Sequence, residues 1–211
     1  EETAATDSNA ATTTSETTAS TQEAEAAKDG ETRVVKLGLT GVIYEDIWNP
    51  IKEKLAGEGI DLQYVQFSDF SLPNAPLDAG EIDINAFQHH AYFNNDTEKN
   101  GYDLTAIGDT FIIAMNIYSD QIQSIDELKD GDTIAIPEDT SNNSRALRLL
   151  HAAGVIKLKD PNNTLATKDD IVENPKNIQI KELPAGQTAR ALDDVAASLI
   201  NNGFAVEAGF Q

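Results

Sequence analysis

Ile82-Asp83-Ile84-Asn85 runs directly into Ala86-Phe87-Gln88-His89-His90-Ala91-Tyr92. The first four residues alternate apolar and polar, the pattern of a half-buried strand, and residues 90–99 read as a helix. The junction therefore lies at the carboxyl end of a strand. Working back from it, residues 73–80 are a short helix that opens at Pro73-Asn74 and closes at Gly80. Before that, Leu62-Gln63-Tyr64-Val65-Gln66-Phe67 alternates as a strand. Ile47, Trp48, Ile51 and Leu55 share one helical face that ends at Gly57 and Gly59. Val34-Val35-Lys36-Leu37-Gly38-Leu39-Thr40 is the first strand. A β-α-β-α-β-α rhythm of this kind predicts a parallel, doubly wound sheet.

Working forward, residues 104–118 are extended with no helix signal and read as a crossover. The rhythm then returns. Ser124-Ile125-Asp126-Glu127 resembles a capping box before a short helix. Thr133-Ile134-Ala135-Ile136-Pro137 is a strand, and residues 143–153 form an amphipathic helix stopped by Gly154. Residues 157–177 are polar and rich in turns. Ile178 to Leu183 is a strand, residues 187–192 a short helix, and residues 196–201 another strand. Two similar α/β units joined by an extended segment place a cleft between them. Ligands of open α/β sheets bind at strand carboxyl ends, and domain interfaces are preferred pocket sites.

Composition narrows the function classes. The 211 residues carry a formal charge of −21, and 40% are hydrophobic. Such acidity argues against nucleic-acid binding, which needs a basic footprint. There is no cysteine, hence no disulfide framework and no thiolate chemistry. No apolar run reaches the roughly 18 residues of a membrane span. Residues 1–32 are Thr, Ala, Ser and Glu with almost no large apolar side chain, and are expected to be a disordered acidic tether. Residues 33–117 then form a first lobe and residues 118–211 a second, with the start of a return crossover.

Two clusters can bear chemistry. Phe87, His89, His90 and Tyr92 follow a strand and open a helix. Metal binding, a satisfied structural cluster and a polar-aromatic pocket wall compete as readings; adjacent histidines lack the His-x-x-x-His spacing of a helical metal pair, and no metal site is expected. The second cluster is Asp139-Thr140-Ser141-Asn142-Asn143-Ser144-Arg145, between a strand and a helix. Free N–H groups at a helix start favour an anion, and the fork of Arg145 can hold a carboxylate with two parallel bonds. Arg145 is expected in the first turn or so, where the helix dipole disfavours a cation. An exposed arginine paired with a nearby acid is the plainer alternative. No Gly-x-Ser-x-Gly elbow, glycine-rich phosphate loop or cysteine nucleophile is present, so no enzyme and no cofactor are expected.

Five stretches, in order and spacing, resemble the methionine-binding lipoprotein family (the NlpA/MetQ type) from about Val34 onward. They are Phe67-Ser68-Asp69-Phe70-Ser71-Leu72-Pro73-Asn74; Gly80-Glu81-Ile82-Asp83-Ile84-Asn85-Ala86-Phe87-Gln88-His89; Ile134-Ala135-Ile136-Pro137 with Arg145-Ala146-Leu147; Glu173-Asn174-Pro175-Lys176; and Leu192-Asp193-Asp194-Val195 with Ile200-Asn201. The resemblance implies a two-lobed, type II periplasmic-binding-protein-like fold, with the ligand cleft between lobes that close by a hinge. It implies a monomeric extracytoplasmic lipoprotein, held at the cell membrane by a lipid anchor before Glu1, that delivers methionine or a close relative to an ABC permease and ATPase. By the same resemblance, Phe70, Phe87, His89 and Tyr92 surround the ligand side chain, Arg145 holds its carboxylate, and Asn201 contacts its polar backbone groups. It further implies a C-terminal segment that returns to the first lobe and is absent from these residues. The sequence departs from the family at Gly41-Val42-Ile43-Tyr44-Glu45-Asp46, at Ala114-Met115-Asn116-Ile117-Tyr118-Ser119, at Ser141-Asn142-Asn143-Ser144-Arg145 and at Phe70, a common tyrosine position. These changes leave a different amino acid, a short peptide, or a surface interaction protein that has lost its ligand as alternatives.

Overall fold

The computed structural model describes residues 32–210, so the expected tether over residues 1–32 lies, but for its last residue, outside the described residues. The described chain forms two α/β lobes. In the first, β1 (Arg33–Thr40) lies between β2 (Ile60–Phe67) and β3 (Ile84–Asn85), all parallel. Helix α1 (Ile43–Ala56) connects β1 to β2, and the short α2 (Asn74–Asp78) leads to β3. Leu37, Leu39 and Leu62 from the sheet are covered by Tyr44, Trp48 and Leu55 of α1, as the apolar spacing of that helix requires. Helix α3 (His90–Asn100) follows β3 and ends at Gly101, whose φ of 72° supplies the left-handed cap that glycine adopts without a Cβ penalty.

The second lobe is built on a sheet ordered β4-β9-β5-β8, from β4 (Met115–Tyr118), β5 (Thr133–Pro137), β8 (Gln179–Leu183) and β9 (Ala197–Asn201). Helix α4 (Thr140–Ala152) lays Ala146, Leu147 and Leu150 against Ile134, Ile136 and Leu199, all fully buried. The polar stretch expected over residues 157–177 folds back on itself, with β6 (Lys157–Leu158) pairing antiparallel to β7 (Ile171–Glu173). Helix α5 (Asn202–Glu207) follows β9 directly. Among the described residues no helix is long and apolar enough to cross a membrane.

Three local readings change. The second sheet is mixed: β5, β8 and β9 are parallel, but β4 runs antiparallel to β9. β4 follows α3 of the first lobe through residues 101–114, which form no helix or strand, rather than a helix packed on its own sheet, and it joins that sheet as an edge strand. Helix α4 starts at Thr140, three residues before its expected start, because the Asp139 carboxylate accepts from the Asn142 backbone N–H at 2.9 Å and caps it there. Ser124 accepts from the Asp126 N–H, but Glu127 reaches back to the N–H of Gln123 rather than that of Ser124, so only half of a capping box forms, on a single 3₁₀ turn.

Both sheets share one topology. The connection after the first strand goes to one side and the later strand returns on the other, leaving β1 beside β3 and β5 beside β9. These are topological switch points, where a crevice opens at strand carboxyl ends. The lobes touch through Phe70 and Tyr92 of the first and Leu192, Ile200 and Phe204 of the second, a shared apolar cluster. Nearby, the backbone N–H of Gly186 donates to Asp69 Oδ2 at 3.1 Å, while Asp69 Oδ1 accepts from the N–H and hydroxyl of Ser71. A Cβ on Gly186 would stand 2.5 Å from the Ser68 carbonyl oxygen. Gly186→Ala is therefore expected to force the lobes apart here and lower stability by about 1–3 kcal/mol, the usual scale of overpacking. Chemical denaturation checks it, and an unchanged midpoint would show that the contact yields freely.

Candidate functional site

The loops at the two switch points meet in one cleft of about 1000 Å³. Phe70, Phe87, His89, Tyr92, Arg145 and Asn201, the six residues singled out from sequence, all line it. The first lobe supplies four of them. Phe70 stacks on Phe87 with ring centroids 5.9 Å apart and meets Phe204 at 4.9 Å, and Tyr92 stands edge-on to Phe70, Phe87 and His89. These offset and edge geometries are the favourable ones for aromatic pairs. The Tyr92 hydroxyl donates to the Phe70 carbonyl at 2.9 Å, so this residue offers the cleft its ring rather than its hydroxyl.

Behind the wall lies a polar clamp. Asn74, buried at the start of α2, donates to Gln88 Oε1 at 3.0 Å and Asp96 Oδ2 at 2.8 Å, and its own oxygen accepts from Asn85 and Gln88. Every polar atom of that amide is used, which holds the strand-to-helix turn bearing Phe87 and His89 in one place.

His89 has two jobs. Its Nδ1 accepts from the Tyr92 backbone N–H at 3.1 Å and so caps α3. The ring proton therefore sits on Nε2, which faces Asn142 Oδ1 of the second lobe at 3.4 Å. The same oxygen accepts from Asn201 Nδ2 at 3.0 Å, while Asn142 Nδ2 donates to both Asp139 carboxylate oxygens at 3.1 Å. Asn142 thus joins both lobes and the central strand β9. Burial holds His89 below the ordinary imidazole range; the Asn142 bond opposes this and the Arg145 charge adds to it.

Arg145 sits in the second turn of α4, because the helix starts at Thr140. The conflict with the helix dipole expected for a first-turn cation is accordingly weaker. Its Nη2 donates to the Ile113 carbonyl at 2.6 Å. Among the described residues it forms no ion pair, so the exposed arginine paired with an acid is not what the structure holds. Four of its five N–H donors remain for the cleft. Asn201 ends β9, and its Oδ1 is sealed from water and has no hydrogen-bond partner among the described residues. The cleft therefore presents a cation with spare donors and an aromatic wall, while Asn201, which also lines it, keeps its unsatisfied Oδ1 sealed. Such a set can hold an anion and an apolar group at once. Sequence reading places Asn142 in the second cluster and Tyr44 in a segment that departs from the family pattern but gives neither a role, although Asp139, three residues before Asn142, is an N-cap signal; Tyr44 also lines the cleft.

Residues 35–211 match the family model described as NlpA lipoprotein. The D-methionine-binding lipoprotein MetQ of Salmonella typhi is 46% identical over 163 residues, covering 75% of this chain and 60% of that protein. Outer membrane lipoprotein 2 of Mannheimia haemolytica is 47% identical over 158 residues, covering 74% and 57%. The chain thus spans about 60% of the length of such relatives. Among solved structures, a nutrient-binding protein from Burkholderia cenocepacia bound to methionine superposes with a TM-score of 0.78 at 39% identity, covering 84% of this chain and 75% of that one. The substrate-binding protein of a methionine transporter from Streptococcus pneumoniae gives 0.80 at 41%, covering 84% and 72%.

The lowered His89 pKa has a pH consequence. The unfolded chain binds this proton first as pH falls, so stability is fully present above the ordinary imidazole pKa of about 6.5 and is lost as pH drops through the folded-state value. Melting temperature should therefore fall between pH 7.5 and pH 5.5. In His89→Asn, which keeps a capping oxygen, that fall should shrink; a pH dependence equal to the wild type would clear His89 of the effect.

Proposed function

The chain belongs to the NlpA lipoprotein family, and from that premise we propose that it is an extracytoplasmic substrate-binding lipoprotein that delivers methionine or a closely related amino acid to an ABC importer. The observation that carries the reading is the pairing, in one cleft, of Arg145 without an ion partner among the described residues and Asn201 Oδ1 without a hydrogen-bond partner among them. A zwitterion answers both. Its carboxylate accepts two parallel bonds from Arg145, and its ammonium donates to Asn201 Oδ1 once a small shift of the cleft wall unseals that atom. Its side chain then lies along Phe70, Phe87, His89 and Tyr92, and a thioether gains sulfur–aromatic contacts there. The Burkholderia relative that holds methionine and the Streptococcus relative that serves a methionine transporter support this choice of ligand. Binding needs no chemistry: the protein would enclose the ligand between the lobes, release it unchanged to the permease, and act as a lipid-anchored monomer.

A short peptide ending in methionine is the second reading, favoured by a cleft at the upper end of the size of small-molecule pockets. Calorimetry on protein unfolded and refolded to strip any carried ligand separates the two, with L-methionine, D-methionine and a methionine dipeptide as probes. Tight binding of a free amino acid supports the first reading, and binding of the dipeptide alone supports the second. In either case Arg145→Ala should weaken the best probe roughly thirtyfold or more, since removing one partner of a buried charge pair costs about 2–5 kcal/mol. Unchanged affinity in that variant would remove Arg145 from the site.

A further inference from the structure

On the β1 side, the first switch point reaches the cleft through Tyr44. It lies in the first turn of α1, just past the carboxyl end of β1, the strand beside β3. The residue is only 2% exposed, and its ring stacks on Phe111 with centroids 5.5 Å apart. Two glycines make room for it. A Cβ on Gly203 would fall 3.2 Å from both the ring and its hydroxyl oxygen, and one on Gly41 would fall 3.5 Å from the ring. Phe111, Gly41 and Gly203 thus pack the side chain where it lines the cleft.

The polar end of Tyr44 is uncommitted. The Tyr44 hydroxyl has no hydrogen-bond partner among the described residues, yet it is not one of their sealed polar atoms, which are Thr40 Oγ1, Trp48 Nε1 and Asn201 Oδ1. Tyr92 offers the contrast, since its hydroxyl is satisfied by the Phe70 carbonyl. A buried tyrosine normally finds a partner for its hydroxyl. The charged group whose field acts on the Tyr44 phenol is Arg145, and both line the same cleft. A phenol O–H and a guanidinium converging on one space have little to offer each other beyond the phenol oxygen. Both have a proton to offer an anion set between them.

We propose that Tyr44 is a specificity-determining residue: its hydroxyl donates a hydrogen bond to the ligand's carboxylate beside Arg145. This rests on the amino-acid-binding reading above. The phenol is suited to the task because burial pushes it up to about 12, against the lowering effect of Arg145, so it remains a donor throughout the neutral range. The consequence is selectivity for a free carboxylate. A carboxamide in its place would turn an N–H₂ group toward donors and leave protons facing protons.

The test is Tyr44→Phe, which keeps the ring and deletes one oxygen. Binding of L-methionine and of L-methioninamide is measured by calorimetry on the wild type and the variant, with thermal melting as the control for packing. The expected result is an unchanged melting temperature, L-methionine weakened about tenfold or more as for a lost hydrogen bond to a charged group, and a preference for L-methionine over the amide reduced by the same factor. Equal loss for both ligands would assign Tyr44 a purely structural part and overturn the proposal. Unchanged affinity for L-methionine would overturn it too. A wild-type protein that binds neither ligand would instead overturn the amino-acid reading, and this inference with it.

Discussion

The carboxamide of Asn142 is the bond on which the arrangement of the cleft depends. Its oxygen accepts from His89 in one lobe and from Asn201 on the central strand of the other, and its nitrogen is committed to Asp139. An amide has one acceptor end and one donor end, so commitment of the nitrogen fixes which way the oxygen points. Everything downstream inherits that polarity. Asn201 must turn its own N–H₂ toward Asn142, which leaves Asn201 Oδ1 facing elsewhere with nothing described to satisfy it. His89 must carry its proton on Nε2, and that in turn requires Nδ1 to be the acceptor that caps α3. One helix cap on Asp139 thereby sets the start of α4, the orientation of Asn142, the tautomer of His89 and the unsatisfied acceptor in the cleft.

How much of this was legible in sequence depends on the range of the interaction concerned. The β-α rhythm is a local signal, and β1 to β3, β5, β8 and β9 lie where the alternation of residues 34–40, 62–67, 82–85, 133–137, 178–183 and 196–201 puts them. Strand direction is not local. Met115 to Tyr118 reads as extended, but whether it runs with or against β9 depends on how the chain enters the sheet, and no residue within the strand records that. The start of α4 reads three residues late in sequence for a different reason: Thr140, Ser141 and Asn142 are weak helix formers, and a single capping carboxylate outweighs their propensity. Helix α5, with six residues, is too short to display a helical period.

The site divides along the same line. The aromatic wall and Arg145 stand out because such residues at a strand's carboxyl end or a helix's start conflict with bland solvation. Tyr44 and Asn142 do not stand out, since their roles come from partners far away in sequence. Tyr44 depends on Gly203, and Asn142 on His89 and Asn201, 53 and 59 residues distant. Nothing near Tyr44 marks it as different from an apolar helix residue facing the core. Only the missing partner for its hydroxyl separates it from the leucines beside it.

The polar atoms of the cleft that lack partners are unlike in kind, and that difference bears on the ligand. Water can reach Arg145 but not the sealed Asn201 Oδ1, and water in the cleft would be ordered at the guanidinium and poorly placed against the four aromatic residues. A single molecule with a donor, an acceptor anion and an apolar arm replaces all of that water at once. The release of poorly bound water from the aromatic wall adds to the affinity, while the charged contacts fix orientation. The closure of two lobes around such a molecule is favourable only when each lobe gains something from it. Here the first lobe holds the apolar wall and the second holds Arg145 and Asn201, so a ligand lacking either half would engage one lobe and leave the other with no reason to approach. Under the amino-acid reading, that division of labour is what couples recognition of the whole ligand to the position of the lobes.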